Sequence, residues 1–177
     1  MGLFDAASLF VETGAKFDGA YRYTLFRDWS QRRGAPYVAW LMLNPSTADE
    51  NVLDPTLRRC AGYTAAWGFE RFEVVNLFAY RATDPDDMVT AALAGVDPIG
   101  PHNDANILDT CTRAGLVICG WGTNIERKPL LGRDRHVLRL LRSVRLSALK
   151  ITDGGHPQHP LYLASDLKPS VWRGAAS

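Results

Sequence analysis

Four short runs of mainly apolar residues recur along the chain, at positions 37–43, 72–78, 116–120 and 146–152. Runs of this length without regular polar alternation are typical of strands buried on both faces of a sheet. An earlier segment, 21–26, alternates aromatic with polar residues and predicts a strand that keeps one face in water. The chain is therefore expected to build its core around a sheet.

Helical spacing of apolar residues fills the intervals between these runs. The pattern predicts four helices, at 57–67, 88–93, 103–113 and 130–142. Strands that alternate with helices are typical of a parallel sheet with helices on both faces. We therefore predict a single three-layer α/β domain over 1–177, with a central, mainly parallel four-stranded sheet and an added N-terminal strand or hairpin. Its core spans about 21–163, and 1–20 and 165–177 are expected to be peripheral.

Composition narrows the class of protein. The chain of 177 residues is 46% hydrophobic and 22% charged, with a formal net charge of +1, which is ordinary for a soluble domain. No apolar run approaches the roughly 18 residues of a membrane span, and the N-terminus lacks the basic region of a secretory signal. Cys60, Cys111 and Cys119 have no Cys-x-x-Cys spacing, which argues against a thiolate zinc site. We expect a cytoplasmic protein with no membrane partner.

Polar and aromatic side chains follow each of the four apolar runs. In chain order these candidate site residues are Asn44, Pro45, Ser46, Asp49, Asn76, Tyr80, Trp121, His156 and His159. The carboxyl ends of parallel strands meet at one edge of a sheet, where open α/β sheets bind ligands. Each residue also has an ordinary structural explanation, such as an Asx-turn at Asn44 or a core position for Trp121. The coincidence of all four strand ends favours a binding site.

One segment of the chain, 126–145, is strongly basic. Its basic residues are Arg127, Lys128, Arg133, Arg135, Arg139, Arg142 and Arg145, and its acidic residues are Glu126 and Asp134. Such a patch can contact phosphates. The candidate nucleic-acid contacts are Arg127, Lys128, Arg133 and Arg135. The alternative is the solvated face of an amphipathic helix.

Five segments together resemble a known family. They read LNPSTADENVLDPT, VVNLFAYRATDP, DPIGPHNDANI, ICGWGTN and GHPQHPLYL. On these motifs most of the chain, residues 21–162, resembles the bacterial and phage family called domain of unknown function 1643. The family label implies no activity.

The order of four shorter motifs resembles the uracil-DNA glycosylase superfamily. The motifs are Leu43-Asn44-Pro45-Ser46, Val74-Val75-Asn76, Gly120-Trp121-Gly122 and Gly155-His156-Pro157. The first lies nearest the mismatch-specific branch, which has Asn rather than Asp in this motif. Met42 departs from the pattern, because the superfamily usually has Gly two residues before the Asn, and this departure affects the shape of the base pocket.

The superfamily resemblance implies hydrolysis of an N-glycosidic bond in a nucleic acid or nucleotide, with no cofactor. His156 would donate to the leaving base, with His159 competing for that role, Asn44 would position water, and Asp49 would supply a carboxylate. The remaining candidates would bind substrate, by reading the base edge or stacking on it, and are Pro45, Ser46, Asn76, Tyr80 and Trp121.

Two alternatives remain open on the sequence alone. The same pocket could bind a nucleotide or nucleic acid without turnover, since an amide such as Asn44 is a poor base. A metal-dependent hydrolase could instead use His156, His159 and Asp49 as ligands.

Overall fold

A computed structural model describes residues 10–46 and 53–174. Within these residues the chain forms seven strands and four α-helices. In chain order they are β1 (Glu12–Asp18), β2 (Tyr21–Asp28), β3 (Val38–Met42), α1 (Pro55–Ala66), β4 (Arg71–Asn76), α2 (Pro85–Leu93), α3 (Asn103–Arg113), β5 (Leu116–Cys119), α4 (Arg133–Leu140), β6 (Leu146–Ala148) and β7 (Ser170–Val171). Two 3₁₀ helices, Thr123–Glu126 and Pro160–Tyr162, follow β5 and β6.

All seven strands form one mixed sheet in the order β1-β2-β4-β3-β5-β6-β7. The four predicted strands form its centre, and they run parallel. The sheet is larger and mixed rather than four-stranded and mainly parallel, because β7 and the N-terminal hairpin, formed by β1 and β2, extend it as antiparallel strands. β1 and β2 form a hairpin, a connection that only antiparallel strands allow, and β7 is too short to leave a sequence pattern.

The central strand β3 shows why helices cover both faces. All of its side chains are buried, and they alternate between two core clusters, with Ala39 and Leu41 in one and Val38, Trp40 and Met42 in the other. Helix α1 contributes to the second cluster, whereas α2, α3 and α4 contribute to the first. The structure is therefore a three-layer α/β arrangement.

Helix α1 begins at a cap that the sequence encodes directly. Asp54 accepts a hydrogen bond from the backbone N–H of Leu57, and Pro55 occupies the first helical position, where its missing N–H costs nothing. Gly68 follows the helix with φ +83°, a conformation that glycine adopts without strain.

Two elements are shorter than predicted. Helix α4 begins at Arg133 rather than at 130, because the preceding Gly132 has left-handed backbone angles. Strand β6 ends at Ala148, because the following segment, 150–158, turns back on itself. In that turn the N–H of Thr152 donates to the carbonyl of His156, and the N–H of Gln158 donates to the carbonyl of Lys150.

The three cysteines are free thiols in the interior. Cys60 lies in the core cluster beneath α1, and Cys111 and Cys119 lie in the cluster on the opposite face of the sheet. Burial raises the pKa of each thiol, to about 12 for Cys111, which makes all three unreactive as nucleophiles. No helix in 10–46 or 53–174 has the length and hydropathy needed to cross a membrane.

Candidate functional site

A cleft of about 730 Å³ opens at the carboxyl ends of the four parallel strands. Residues that follow β3, β5 and β6 line it, together with Asn76 at the end of β4. The candidate site residues on its wall are Asn44, Pro45, Ser46, Asn76, Trp121 and His159. The structure therefore brings together six of the nine strand-end residues that the sequence singled out.

Asn44 ties two loops together at the floor of the cleft. Its side-chain Nδ2 donates to the carbonyls of Pro45, at 3.2 Å, and Ala82, at 2.8 Å. The backbone N–H of Ala82 returns a hydrogen bond to the carbonyl of Pro45, at 2.9 Å. The amide nitrogen is thus used by the fold, which leaves Oδ1 as the side-chain atom able to meet a ligand.

Ser46 and Asp54 form a hydrogen-bonded pair on the same wall. Ser46 Oγ donates to Asp54 Oδ2 at 3.3 Å, while Asp54 Oδ1 accepts the capping bond from Leu57 N–H at 2.8 Å. Both oxygens of the Asp54 carboxylate accept hydrogen bonds within the fold, and the main structural role of Asp54 is to cap helix α1. Asp49, the carboxylate that the sequence analysis assigned to this loop, lies outside the described residues.

Asn76 is 3% exposed and faces the cleft from the last position of β4. Its backbone carbonyl accepts from Asn103 Nδ2, at 3.0 Å, and the next carbonyl, of Leu77, accepts from both Asn103 Nδ2 and Arg133 Nε. These contacts fix the end of the strand. Within the described part of the chain, no group hydrogen-bonds to the side-chain amide of Asn76, which is available for a ligand.

The two candidate histidines face different cavities. His156 belongs to the 150–158 turn and lines a cavity beside α4, whereas His159 follows the turn and lines the cleft. His159 lines the cleft, and its Nδ1 accepts a hydrogen bond from Leu161 N–H at 3.3 Å. Burial lowers the pKa of His159, and the carboxylate of Asp54 only partly opposes this shift. The ring is therefore held neutral, with its proton on Nε2.

His156 lies outside the cleft. Its Nε2 is 3.1 Å from Glu126 Oε1, and its Nδ1 is 3.9 Å from Asp134 Oδ2. It lines a second cavity beside α4 instead. The structure therefore separates His156 from Asn44 and Asn76, with which the sequence grouped it.

The aromatic candidates differ in their access to the cleft. Trp121 is 2% exposed and packs edge-on against Trp172, with ring centroids 5.3 Å apart. Its ring is therefore part of the cleft wall and does not offer a free face on which a base could stack. Tyr80 is absent from the cleft wall and packs edge-on against Tyr21. Tyr162 is 77% exposed at the cleft, 6.0 Å from the His159 ring. It is the better placed ring for stacking.

The four basic candidates are not equivalent. Arg133 is buried, and its guanidinium donates to the carbonyl of Leu77 and to Asp104. The fold itself therefore engages the guanidinium of Arg133. Arg127 forms an ion pair with Asp86. Lys128 and Arg135 are at least partly accessible to solvent.

The cleft contains no metal-binding cluster in its described part. Across 10–46 and 53–174, no group of three or more His, Cys, Asp or Glu side chains could hold a metal ion. His156 and His159, two of the ligands named for the metal-dependent alternative, face different cavities. The third, Asp49, lies outside the described residues.

One family model matches the chain. Its description is "Protein of unknown function (DUF1643)", and it covers residues 22–161 of the 177. The chain belongs to this family. No curated protein and no solved structure matches it.

The DUF1643 match coincides with the site. Of the residues that line the cleft, all but Tyr162 fall within 22–161. Strands β1 and β7, at the two edges of the sheet, lie outside the matched span. The family region therefore comprises the parallel centre of the sheet, β2 and the cleft.

Sequence reasoning missed the charged residues of the DUF1643 cleft. Arg22 is 5% exposed and lies on the cleft wall, as do Lys150 and Asp153. Arg22 occupies a polar position of β2, where alternation suggested a solvated side chain. The alternation along β2 alone does not predict that Arg22 is buried.

Proposed function

We propose that the cleft binds a nucleobase and that the protein hydrolyses the N-glycosidic bond of that base in a nucleic acid or nucleotide. The observation that carries this proposal is the convergence of Asn44, Asn76 and His159 on one cleft from three different strand ends. Amide and imidazole groups are suited to a flat heterocycle with both donors and acceptors on its edge. The cleft volume, about 730 Å³, lies in the range usual for small-molecule sites.

The arrangement of the sheet supports a fold of the uracil-DNA-glycosylase type. The four parallel strands lie in the order β4-β3-β5-β6, and the four short motifs follow β3, end β4, follow β5 and follow β6. The motif order that prompted the resemblance is thereby consistent with one edge of the sheet. This support concerns the fold and the location of the site.

Asn76 is suited to base recognition. A carboxamide offers one acceptor and two donors, and this one is buried at the cleft on a strand end fixed by Asn103 and Arg133. A rigid amide discriminates between bases that present different edges, because the wrong edge leaves buried polar groups unpaired.

His159 takes the role that the resemblance assigns to His156. Its neutral ring has Nε2–H as a donor, and its Nδ1 is fixed by Leu161. Donation to an oxygen of the departing base stabilises the negative charge that develops there, a contribution of about 3 kcal/mol.

Asn44 is suited to hold the attacking water, since its Oδ1 remains an acceptor while Nδ2 is bound to backbone. The water oxygen attacks the anomeric carbon, the carbon–nitrogen bond breaks, and its electron pair leaves with the base. The base takes up a proton, and the water loses one to solvent. An amide is a weak base, so this mechanism depends on leaving-group activation.

Base release measures the proposed activity. Oligonucleotides and nucleosides with uracil, hypoxanthine and alkylated or mismatched bases are incubated with the protein, and free base is quantified by mass spectrometry. His159→Ala and Asn44→Ala are each expected to lower the rate by about 100-fold or more. His156→Ala is the matched control, and on free nucleosides it should retain the wild-type rate. Equal rates for wild type and His159→Ala would refute the mechanism.

A binding module without turnover is the second candidate. It is favoured by the engagement of both Asp54 oxygens and of Asn44 Nδ2 within the fold, which leaves the described loop short of a general base. Saturable nucleotide or oligonucleotide binding that His159→Ala weakens, with no free base detected, would support this candidate over the enzyme.

A further inference from the structure

A second cavity, of about 680 Å³, lies beside α4 on the other side of the 150–158 turn. Four arginines line it, and we call it the arginine groove: Arg135, Arg139, Arg142 and Arg173. Trp121 lines both the cleft and the groove. One turn therefore separates the two cavities, with His159 on the cleft side and His156 on the groove side.

The groove carries a surplus of positive charge, since its wall has four arginines and two carboxylates. Its wall has two carboxylates, Glu126 and Asp134, and both lie within 4.0 Å of His156 nitrogens. Among the described residues, no carboxylate forms a salt bridge with any of the four groove arginines. The groove therefore presents fixed cations to solvent, which is the requirement for binding an anionic polymer.

The remaining walls of the groove are apolar or aromatic. Leu131 is 56% exposed, and Leu138 and Trp172 are partly buried against the core. In a double helix the phosphates and sugars are accessible to a protein, whereas the faces of the bases are stacked inside. A single strand presents phosphates and base faces together, and basic grooves with aromatic walls are the usual means of binding it.

The basic surface continues beyond the groove. An adjoining hollow of about 650 Å³ shares Arg142, Trp172 and Arg173 with it and adds Arg145. Cations thus line two adjoining cavities, along α4 and beyond its end.

We propose that the arginine groove binds the phosphate backbone of a single-stranded polynucleotide whose target nucleotide occupies the cleft. This inference rests on the proposed function and adds to it that the substrate is polymeric and single-stranded. The groove uses Arg139, Arg142 and Arg173, whereas Arg133, which the sequence suggested as a contact, is buried.

Fluorescence anisotropy with a 5′-labelled single-stranded oligonucleotide tests this inference independently of turnover. Arg139→Glu/Arg142→Glu should weaken binding at least about 10-fold near 0.1 M salt, and the slope of log affinity against log salt should fall by about 0.7 for each phosphate that the variant no longer neutralises. Arg32→Glu/Arg33→Glu is the matched control, since it changes the net charge equally in the exposed loop before β3. It should bind like wild type.

The far-UV circular dichroism and the thermal unfolding midpoint of Arg139→Glu/Arg142→Glu should match those of wild type, which shows that the variant is folded. Equal oligonucleotide binding by wild type and the groove variant would overturn the inference, and so would tighter binding of the duplex or of a polyaspartate peptide. If the groove dependence holds but no base is ever released, the proposed function fails and the groove assignment stands.

Discussion

At His159 a hydrogen bond and burial favour the same protonation state. The Leu161 N–H donates to Nδ1, and desolvation lowers the pKa of the ring below its ordinary value of 6.5. A neutral donor at Nε2 is therefore present without any need to take up a proton at physiological pH. The nearby His156 lies beside two carboxylates instead, although each of the two histidines is followed by a proline in the sequence.

The lowered pKa of His159 has a consequence for stability. The unfolded chain binds a proton near pH 6.5 and the folded chain only at lower pH, so the contribution to the free energy of unfolding is full above pH 6.5 and is lost as pH falls from there through the lower pKa of the folded chain. Wild type should therefore lose more stability than His159→Gln between about pH 7.5 and about pH 5. Urea unfolding at several pH values measures this difference. Parallel curves for the two proteins would contradict it.

At the scale of elements, the ends of helices were predictable where one residue decides them. Asp54-Pro55 and Asp84-Pro85 each supply a capping carboxylate and a first-turn proline, so helices α1 and α2 begin at 55 and 85, before the starts at 57 and 88 that apolar spacing predicted. The start of α4 was not predictable, because Leu130 and Leu131 continue the helical spacing while Gly132 interrupts the backbone. The end of β6 depends on hydrogen bonds within 150–158, which no local pattern reveals.

Arg133 links α4 to the end of β4. Burial alone would raise the pKa of Asp104, but the hydrogen bonds from Arg133 and His136 outweigh it and lower that pKa. Arg133→Ala removes the donor to the carbonyl of Leu77 and a charged bond to Asp104, and should cost about 2 kcal/mol in the free energy of unfolding. Chemical denaturation measures the loss. Arg135→Ala, on the same helix, should stay within about 0.5 kcal/mol of wild type, and equal effects would contradict the assigned role.

For the molecule as a whole, the sequence located the cleft better than it identified the residues that line it. Apolar runs that end in polar residues place side chains at one edge of a parallel sheet, so Asn44, Asn76 and His159 could be grouped from the pattern alone. The distinction between His156 and His159 required the path of the 150–158 turn. The burial of Arg22 depends on contacts that local alternation does not show, such as the hydrogen bond from its backbone N–H to the carbonyl of Ala79.

Gly120, directly after β5, lies close to the loop that contains His159. A Cβ there would lie 3.1 Å from Pro160 Cδ and 3.2 Å from Met42 Sδ, so Gly120→Ala should cost about 1–3 kcal/mol by overpacking and slow base release by displacing His159. Gly62→Ala is the control, because a Cβ at that position of α1 meets no atom within 4 Å and should add about 0.5–1 kcal/mol. Thermal unfolding and base release are measured together. An unchanged Gly120→Ala would contradict the close packing.

The distribution of the three thiols provides an internal probe of opening. Cys60 reports on the layer beneath α1, while Cys111 and Cys119 report on the layer under the other helices. Since none of the three thiols is accessible in the native fold, each sulfur can be alkylated only when the layer that contains it opens transiently by local unfolding. Labelling followed by peptide mapping would thus reveal whether the two sides of the sheet come apart in one event or separately, without a single engineered residue.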